Sequence, residues 1–283
     1  PERRPAGSVI FMQKRSKVLH LPLGVVGIIS PWNYPLTIPF GEIIMGLMAG
    51  NAIVLKVAAA TPLVGKLIEE IIAAGELPDG LFTHIVGSGG AVSTAMFENR
   101  IDKVFFTGSV PTGKQLMAQA SATLTPLSLE LGGKDAMIVL ADADLERASN
   151  GAVWSGFQNA GQTCAGVERV YVHSSVRDEF MALVKAKTQA LRHGPGHTIG
   201  QTDLGSMTTA KQLQTVQHQL KDALEKGAVI EAQSQAVGDT SNGFFHPATL
   251  ISNVNNDMEI MREETFGPVV PVETFDDVED AIA

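Results

Sequence analysis

Short apolar runs alternate with helix-like segments from about residue 24 onward, and this alternation limits the possible folds more than any other feature. Such runs, bounded by glycine, proline and polar residues, are typical of buried strands. Thr61-Pro62 is a favourable start for one of the helices between them. The alternation predicts an α/β fold with a doubly wound, mostly parallel sheet. The predicted strands of the first half are 24–30, 52–56, 82–86, 103–106 and 127–131.

The same alternation resumes after Gly132-Gly133, where we place a domain boundary. We expect residues 1–133 to form a Rossmann-like domain and residues 134–283 to form a second α/β domain. Residues 1–20 are polar and basic and show no clear period. The second half is predicted to contain strands at 136–140, 167–173, 228–231, 245–251 and 268–275, helices at 145–157, 175–191 and 208–226, and a loop at 193–197.

The composition narrows the possible functions. With 45% hydrophobic and 18% charged residues among 283, the chain can bury a core and is not disordered. A net charge of −9 argues against a nucleic-acid-binding surface. Residues 1–135 carry 11 basic and 10 acidic side chains, whereas the remainder carries 10 and 20. The near-neutral first half is therefore the better place for an anionic cofactor.

The single cysteine excludes an internal disulfide framework and a cysteine-rich zinc site, and it fits a reducing compartment. The sequence shows no signal peptide. The apolar stretch 43–55 is too short, and too interrupted by Gly46 and Gly50, to span a bilayer. These features predict a cytoplasmic protein without a membrane or nucleic-acid partner.

Small residues surround that cysteine, Cys164, in the stretch 156–166. They let backbone and ligand come close to the sulfur. The stretch joins a predicted helix to a predicted strand, where backbone N–H groups can lower a thiol pKa and receive an oxyanion. A lone cysteine is more often a small buried apolar residue, and the residues alone leave both interpretations open.

Two other polar residues stand where predicted strands end. Glu130 lies on the face of the strand 127–131 opposite the leucines. It is either an outward, solvated carboxylate or a half-buried one with a raised pKa that suits a general base. Asn33 follows the strand 24–30 in a turn between two prolines, where asparagine is common. Its side-chain amide could instead stabilise an oxyanion.

The remaining candidates are weaker on their own. Gly108-Ser109 leads from a strand into a helix, as phosphate sites do, but lacks the G-x-G-x-x-G spacing. Lys56 is either a surface residue at a strand end or a contact to ribose or phosphate. Glu263-Glu264 has the character of a solvated pair. His193 and His197 flank Gly-Pro-Gly, which excludes a helix there, so we predict no metal site.

Six short motifs in a fixed order resemble the NAD(P)-dependent aldehyde dehydrogenase family. The resemblance covers nearly the whole chain from about Gly24. Any one motif would be unspecific, whereas the ordered set is highly specific. The motifs are Pro31-Trp32-Asn33, Lys56 with Thr61-Pro62, Phe106-Thr107-Gly108-Ser109, residues 129–134, Gly161-Gln162-Thr163-Cys164 and residues 263–268.

The resemblance implies a catalytic role for three residues. Cys164 is then the nucleophile, Glu130 the general base, and Asn33 the oxyanion-hole amide that acts with the backbone N–H of Cys164. The implied reaction oxidises a small aldehyde to a carboxylic acid through a thiohemiacetal and a thioester. Residues 1–133 become an NAD(P)-binding domain and residues 134–283 a catalytic domain.

NAD or NADP is implied as the cofactor, without a metal. Family members that prefer NAD often carry glutamate where this chain has Ala59, so we expect NADP to be used. The implied contacts are Ser30 and Trp32 in the cofactor channel, Lys56 at the adenosine ribose, Gly108 and Ser109 at the pyrophosphate, Glu264 at the nicotinamide ribose and Phe266 beside the nicotinamide.

The resemblance also implies that the chain is a central fragment. Relatives continue beyond the position of Ala283 and have a longer region before the first strand, and their full-length form is expected to be a homo-oligomer, either a dimer or a tetramer. Two alternatives are a CoA-acylating relative and a non-catalytic or truncated binding protein that keeps the fold. Glu130 argues against the first. Intact Cys164, Glu130 and Asn33 argue against the second, whereas truncation at both ends argues for it.

Overall fold

A computed structural model describes residues 2–4, 9–11, 13, 16–196 and 199–282. The chain divides into two compact units, Pro1–Glu130 and Leu131–Ala283. The first 20 residues, for which the sequence predicted no element, contain a pair of antiparallel strands, β1 (Glu2–Arg4) and β2 (Ser16–Val18). The assignment of separate cofactor-binding and catalytic roles to the two units stays a prediction.

The first unit is built on a five-stranded sheet over the described residues. The strands are β3 (Val25–Ile29), β4 (Ala52–Lys56), β5 (Phe82–His84), β6 (Lys103–Gly108) and β7 (Leu127–Leu131). They lie in the order β5-β4-β3-β6-β7. The pairs β4–β5, β3–β4 and β3–β6 all run parallel, which confirms the predicted class of fold.

Four helices connect these strands in the described part of the first unit. They are α1 (Thr37–Met48), α2 (Pro62–Ala73), α3 (Gly89–Glu98) and α4 (Val110–Ser121). One face of the sheet packs on α1 and α2 through Ile28, Ile43, Leu55 and Ile68, none of which is exposed to solvent. Thr61 occupies the N-cap position of α2, as predicted, but its hydroxyl makes no capping hydrogen bond.

The second unit contains a mixed five-stranded sheet over the described residues. The strands of the unit are β8 (Ala136–Val139), β9 (Arg169–His173), β10 (Arg192–His193), β11 (Val229–Gln233), β12 (Gln235–Ala236), β13 (Thr249–Ser252) and β14 (Val269–Phe275). The sheet has the order β11-β13-β14-β9-β8. All neighbouring pairs are parallel except β11–β13, which is antiparallel with a register shift between Ile230 and Ala232.

The helices of this unit begin largely where the sequence placed them. Asp144 caps the first one by accepting a hydrogen bond from the Arg147 N–H at 3.1 Å, as predicted. The core of the second unit contains the fully buried residues Val170, Phe180 and Val270. The helices are α5 (Leu145–Phe157), α6 (Arg177–Ala190), α7 (Ala210–Glu225), α8 (Glu259–Arg262) and α9 (Val278–Ile282).

Two predictions for this unit were wrong in detail. The strand expected at 245–251 starts only at Thr249, because Pro247 cannot donate a ladder hydrogen bond. The stretch expected as a loop at 193–197 begins with His193 in a short strand, β10, which pairs with β12. His197 lies outside the described residues. Across the described ranges, no helix has the length and apolar character needed to cross a membrane.

Candidate active site

The cofactor candidates of the first unit lie along one edge of its sheet. Ser30 directly follows β3, Lys56 ends β4 and Gly108 ends β6. Because β3, β4 and β6 run parallel, their carboxyl ends meet at the same edge. Ligands of doubly wound sheets bind at this edge.

Hydroxyl groups without partners mark the same edge. Ser30 Oγ and Thr107 Oγ1 are buried and have no hydrogen-bond partner within the described part of the chain. Thr61 Oγ1, at the start of α2, is a third such atom. Buried polar atoms are nearly always hydrogen-bonded, so atoms of this kind fit a site completed by a polar ligand.

The basic residue of this edge is buried as well. Lys56 is only 7% exposed, and burial lowers the pKa of its amine. A Cβ added to Gly89, at the start of α3, would lie 3.9 Å from Lys56 Nζ. A buried amine beside unpartnered hydroxyls fits the ribose and phosphate groups of a dinucleotide.

Gly108 and Ser109 lead from β6 into α4. A Cβ at position 108 would contact the Phe106 ring at 2.6 Å, so glycine is what lets the ring lie against this turn. Ser109 is the exposed N-cap residue, and its Oγ lies 3.0 Å from Thr112 Oγ1 rather than bonding a helix N–H. The first turn of α4 therefore keeps the N–H donors that suit an anion.

The remaining first-unit candidates lie in bends and turns. Trp32 and Asn33 are half-buried in the bend that joins β3 to α1. Ala59 is exposed in the turn that follows β4. The position expected to select between NAD and NADP is thus accessible to a ligand.

Of the two alternatives for Glu130, the structure has the exposed carboxylate rather than the half-buried one, near the end of β7. A second carboxylate, which the sequence did not single out, is affected by it. Burial, and then the negative charge of Glu130, raises the pKa of Glu42 on α1 to about 7. Glu42 and Glu130 therefore interact electrostatically within the first unit.

Cys164 lies on a turn in the segment between α5 and β9, and its side chain is exposed. The structure therefore excludes one of the two interpretations that the sequence left open, that Cys164 is a small buried apolar residue. Three consecutive residues before it, Asn159, Ala160 and Gly161, have left-handed backbone with φ of 51°, 54° and 71°. Strained backbone of this kind persists only where its surroundings hold it, and it is concentrated at functional sites.

Gln162 and Asn159 hold this cysteine loop, residues 158–167, in shape. Gln162 Nε2 donates to the Asn159 carbonyl at 3.0 Å, and Asn159 Nδ2 donates to the Gln162 carbonyl at 3.2 Å. Gln162 Oε1 accepts from the Thr208 N–H at 2.9 Å. The loop is therefore fixed from its own side chains and from the segment before α7.

Glycine permits a close backbone approach between the cysteine loop and the segment 263–268. A Cβ on Gly161 would overlap the carbonyl of Gly267, so the cysteine loop lies directly against the segment 263–268. That segment carries Glu264 and Phe266, both half-buried. The second unit thus brings Cys164, Glu264 and Phe266 into neighbouring segments.

The Glu264 carboxylate packs against glycine too. A Cβ at Gly132 would overlap it, and the Gly133 N–H donates to it. Burial first, and then the charge of Glu168, raises the pKa of Glu264 to about 7, whereas Lys134 acts in the opposite direction. Nothing in the sequence indicates that Lys134 or Glu168 is buried here, since charged residues are usually solvated.

The histidine candidate has a structural partner. His193 Nδ1 lies 2.9 Å from Ser234 Oγ, and both residues are buried. Within the described ranges, no three His, Cys, Asp or Glu side chains are grouped as a metal ion would require.

The fold and these residues define a two-unit α/β protein with a Rossmann-like sheet and an exposed cysteine. The chain belongs to the aldehyde dehydrogenase family, which it matches over residues 2–283. This membership confirms the family resemblance of the six ordered motifs. The roles of the individual site residues stay predictions.

Relatives agree with this assignment. The chain is 40% identical over 274 residues to 4,4'-diapolycopene aldehyde oxidase of Methylomonas sp., covering 96% of this chain and 50% of that protein. It is 39% identical to a putative succinate-semialdehyde dehydrogenase [NADP(+)] of Mycolicibacterium smegmatis, covering 95% and 51%. The solved structure of an NADP-dependent enzyme of E. coli aligns with a TM-score of 0.91 and 35% identity, covering 100% of this chain and 58% of that one. The chain spans about half the length of the curated relatives it matches.

Proposed function

We propose that this chain carries the catalytic residues of an NAD(P)+-dependent aldehyde dehydrogenase that forms a covalent intermediate on Cys164. The observation that carries the proposal is the exposed thiol on a strained, internally hydrogen-bonded loop. Membership of the aldehyde dehydrogenase family supports it. Small-molecule aldehydes are the proposed substrates.

Cys164 attacks the aldehyde carbon as a thiolate, and a C–S bond forms while the carbonyl oxygen becomes an oxyanion. We assign Asn33 to donate its side-chain N–H to this oxyanion, together with the backbone N–H of Cys164. A donor aimed at developing charge lowers the barrier by about 3–4 kcal/mol in comparable sites. Oxidation of the adduct then leaves a thioester on the sulfur.

Glu130 is assigned to the hydrolytic half of the reaction. Its exposure near the end of β7 gives it access to water, the co-substrate of this step. The carboxylate takes a proton from water, which attacks the thioester carbon, and the thiolate leaves as the carboxylic acid forms. Burial, and then the charge of Glu130, raises the pKa of Glu42 to about 7, so Glu42 is a second carboxyl whose protonation responds to the charge of Glu130.

The cofactor supplies a hydride acceptor when it is bound. Ser30, Thr107 and Lys56 fit its ribose and phosphate groups, since two of these residues carry buried hydroxyls without partners and the third is a buried amine. The N-terminus of α4, at Gly108-Ser109, fits the pyrophosphate. Trp32 is assigned to the channel, and Glu264 and Phe266 to the nicotinamide end, as in the family resemblance.

NADP is the proposed cofactor of choice. A carboxylate that binds the adenosine ribose hydroxyls would repel a 2′-phosphate, and Ala59 has none. Lys56 remains as a partner for phosphate. The relative from Mycolicibacterium smegmatis and the enzyme from E. coli are both described by their names as NADP-dependent, which supports this choice.

Rapid mixing with a panel of aliphatic, aromatic and semialdehyde substrates tests the proposal. The parent should form NAD(P)H with each substrate that it accepts. Cys164→Ala should retain less than about a hundredth of the parent's turnover, since no covalent route remains. Glu130→Gln should still give one equivalent of NAD(P)H and then stall, because only deacylation needs the base.

Two outcomes would contradict these assignments. Turnover of the Cys164→Ala variant above about a hundredth of the parent's would exclude Cys164 as the nucleophile. A first turnover of Glu130→Gln that slows as much as its steady state would exclude the hydrolytic role of Glu130. Thr163→Ala, which leaves the thiol and the base in place, serves as the matched control for mutation of the loop.

A further inference from the structure

Lys134 and Glu168 form a buried ion pair in the second unit. Lys134 Nζ lies 2.5 Å from Glu168 Oε2, and each side chain is 7% exposed. Removing two charges from water is costly, and the cost is offset only when the remaining hydrogen-bonding positions are also filled. The groups that fill them show what the pair holds in place.

The backbone of the segment 264–266 fills those positions. Glu168 Oε2 accepts the Thr265 N–H at 2.8 Å, and Oε1 accepts the Phe266 N–H at 2.8 Å. Lys134 Nζ also donates to Thr265 Oγ1 at 2.8 Å. One carboxylate and one ammonium therefore bind two successive peptide groups and the side chain between them.

Glutamines of α7 bind the same segment from another direction. Gln219 Nε2 donates to the Glu264 carbonyl at 3.2 Å, and Gln212 Nε2 donates to the Thr265 carbonyl at 2.8 Å. Thr265 Oγ1 donates to Gln219 Oε1 at 2.8 Å, and Thr265 is fully buried. The segment is thus held by side chains on both sides of its backbone.

The conformation that is held is an unfavourable one. Phe266 has a left-handed backbone, with φ of 48°, which a bulky residue rarely adopts. Such a conformation persists only when the surroundings determine it more than once. The bond from the Phe266 N–H to Glu168 acts on this residue directly.

The ion pair also reaches the two site segments of the unit. Glu168 is the fourth residue after Cys164, and its backbone partners are Phe266 and Thr265, the residue that follows Glu264. Arg169 Nε, on β9, donates to the Lys134 carbonyl at 3.1 Å, so this strand also holds the backbone of Lys134 in place. The charges of Glu168 and Lys134 act in opposite directions on the pKa of Glu264.

We propose that Lys134 and Glu168 are positioning residues: their ion pair holds the segment 264–266 in the conformation that receives the cofactor. Neither residue touches the reacting atoms. The role of the segment as a cofactor contact rests on the proposed function, whereas the holding of its backbone does not.

Hydrogen exchange and cofactor binding test the inference separately. Glu168→Gln is nearly isosteric, but its amide N–H₂ cannot accept a backbone N–H. We expect exchange at the Thr265 and Phe266 amides to rise, and the Kd for NADPH to increase, each by roughly tenfold to a hundredfold, the effect of losing hydrogen bonds to a charged group. Asp203→Asn, which breaks the exposed Arg192–Asp203 pair of the same unit, is the matched control and should change neither quantity.

Two further variants distinguish the loss of the ion pair from misfolding of the chain. The double variant Lys134→Met, Glu168→Met replaces both charges by apolar side chains, so neither charge is left buried and unpaired. Its thermal midpoint should fall, because the Thr265 and Phe266 N–H groups lose their acceptor, but it should still unfold cooperatively and show faster exchange at Thr265 and Phe266. Thr265→Val, which is isosteric and keeps both charges, should raise the Kd for NADPH severalfold without changing the rate of Cys164 alkylation.

Unchanged exchange at Thr265 and Phe266 in the folded double variant would overturn the inference. So would parent-like NADPH affinity in both the double variant and Thr265→Val. Failure of the parent itself to bind NADPH would contradict the proposed function instead. In that case the exchange measurement still decides whether the ion pair holds the segment.

Discussion

Gly161→Ala tests the contact between the cysteine loop and the segment 263–268. Gly161 has a φ of +71°, and a Cβ there would overlap the carbonyl carbon and oxygen of Gly267. Both atoms belong to backbone, which cannot rotate away as a flexible side chain could. The substitution therefore combines a conformational cost with a steric one.

The two costs can be separated with other glycines of the same unit. A left-handed conformation costs about 1–2 kcal/mol for an L-residue, and overpacking costs about 1–3 kcal/mol, so Gly161→Ala should lose about 2–5 kcal/mol of unfolding free energy. Gly200 has a φ of +80° with nothing within 4 Å of an added Cβ, so Gly200→Ala carries the first cost alone. Gly205 has open space and no positive φ. Gly205→Ala should stay within about 0.5 kcal/mol of the parent.

Urea unfolding of the three variants provides the measurement, with free energies taken from midpoints at an unchanged m-value. The expected order of destabilisation is Gly161→Ala, then Gly200→Ala, then Gly205→Ala. Alkylation of Cys164 by iodoacetamide should change only in Gly161→Ala, because only that variant displaces the loop. Equal destabilisation of the first two variants would refute the close approach of Gly161 to Gly267.

Further predictions concern cofactor choice and pH. Ala59→Glu should shift the ratio of kcat/KM for NAD to kcat/KM for NADP toward NAD by roughly tenfold to a hundredfold. Ala60→Glu, in the same exposed turn, is the control and should leave this ratio unchanged. An unchanged ratio in Ala59→Glu would mean that another residue determines the cofactor preference. Burial lowers the pKa of His193 and His246, so the folded state favours their neutral forms. The urea midpoint of unfolding should therefore fall as the pH drops below about 6.5, and it should fall less in the His246→Phe variant. Burial raises the pKa of Glu264 to about 7, so between pH 4.5 and 7 this carboxyl binds its proton more tightly in the folded protein than in the unfolded chain. The free energy of unfolding should therefore fall as the pH rises through this range, and Glu264→Gln should remove this slope. A Glu264→Gln curve with the parent's slope would contradict this assignment.

Strong local patterns explain where the sequence predicted the fold well. β4 (Ala52–Lys56), β7 (Leu127–Leu131) and α5 (Leu145–Phe157) have the predicted bounds, since apolar periodicity and end signals agree there. β1 and β2 could not be predicted, because their pairing depends on partners distant in sequence rather than on a local apolar period. The same holds for the two-residue strands that pair His193 with Ala236.

Some features of the candidate site could likewise be predicted from the sequence, and others could not. The placement of Ser30, Lys56 and Gly108 at one sheet edge follows from strand order, which the alternation of strands and helices already implies. The sequence left two alternatives open for Glu130, and the structure favours the exposed one, because period-2 alternation predicts a face but not the depth of a strand end. Lys134 and Glu168 are 34 residues apart, and nothing local indicates that such charges are buried together.

Covalent capture on Cys164 is the central claim, and peptide mass mapping of the Glu130→Gln variant tests it most directly. After mixing with NAD(P)+ and an aldehyde that the parent accepts, the variant should accumulate a thioester, because the base for its hydrolysis is absent. We predict one acyl group per chain, on the peptide that contains Cys164, removed by hydroxylamine and absent when cofactor is omitted. NAD(P)H formed in stoichiometric amount with that peptide unmodified, or with the acyl group on another residue, would contradict the account.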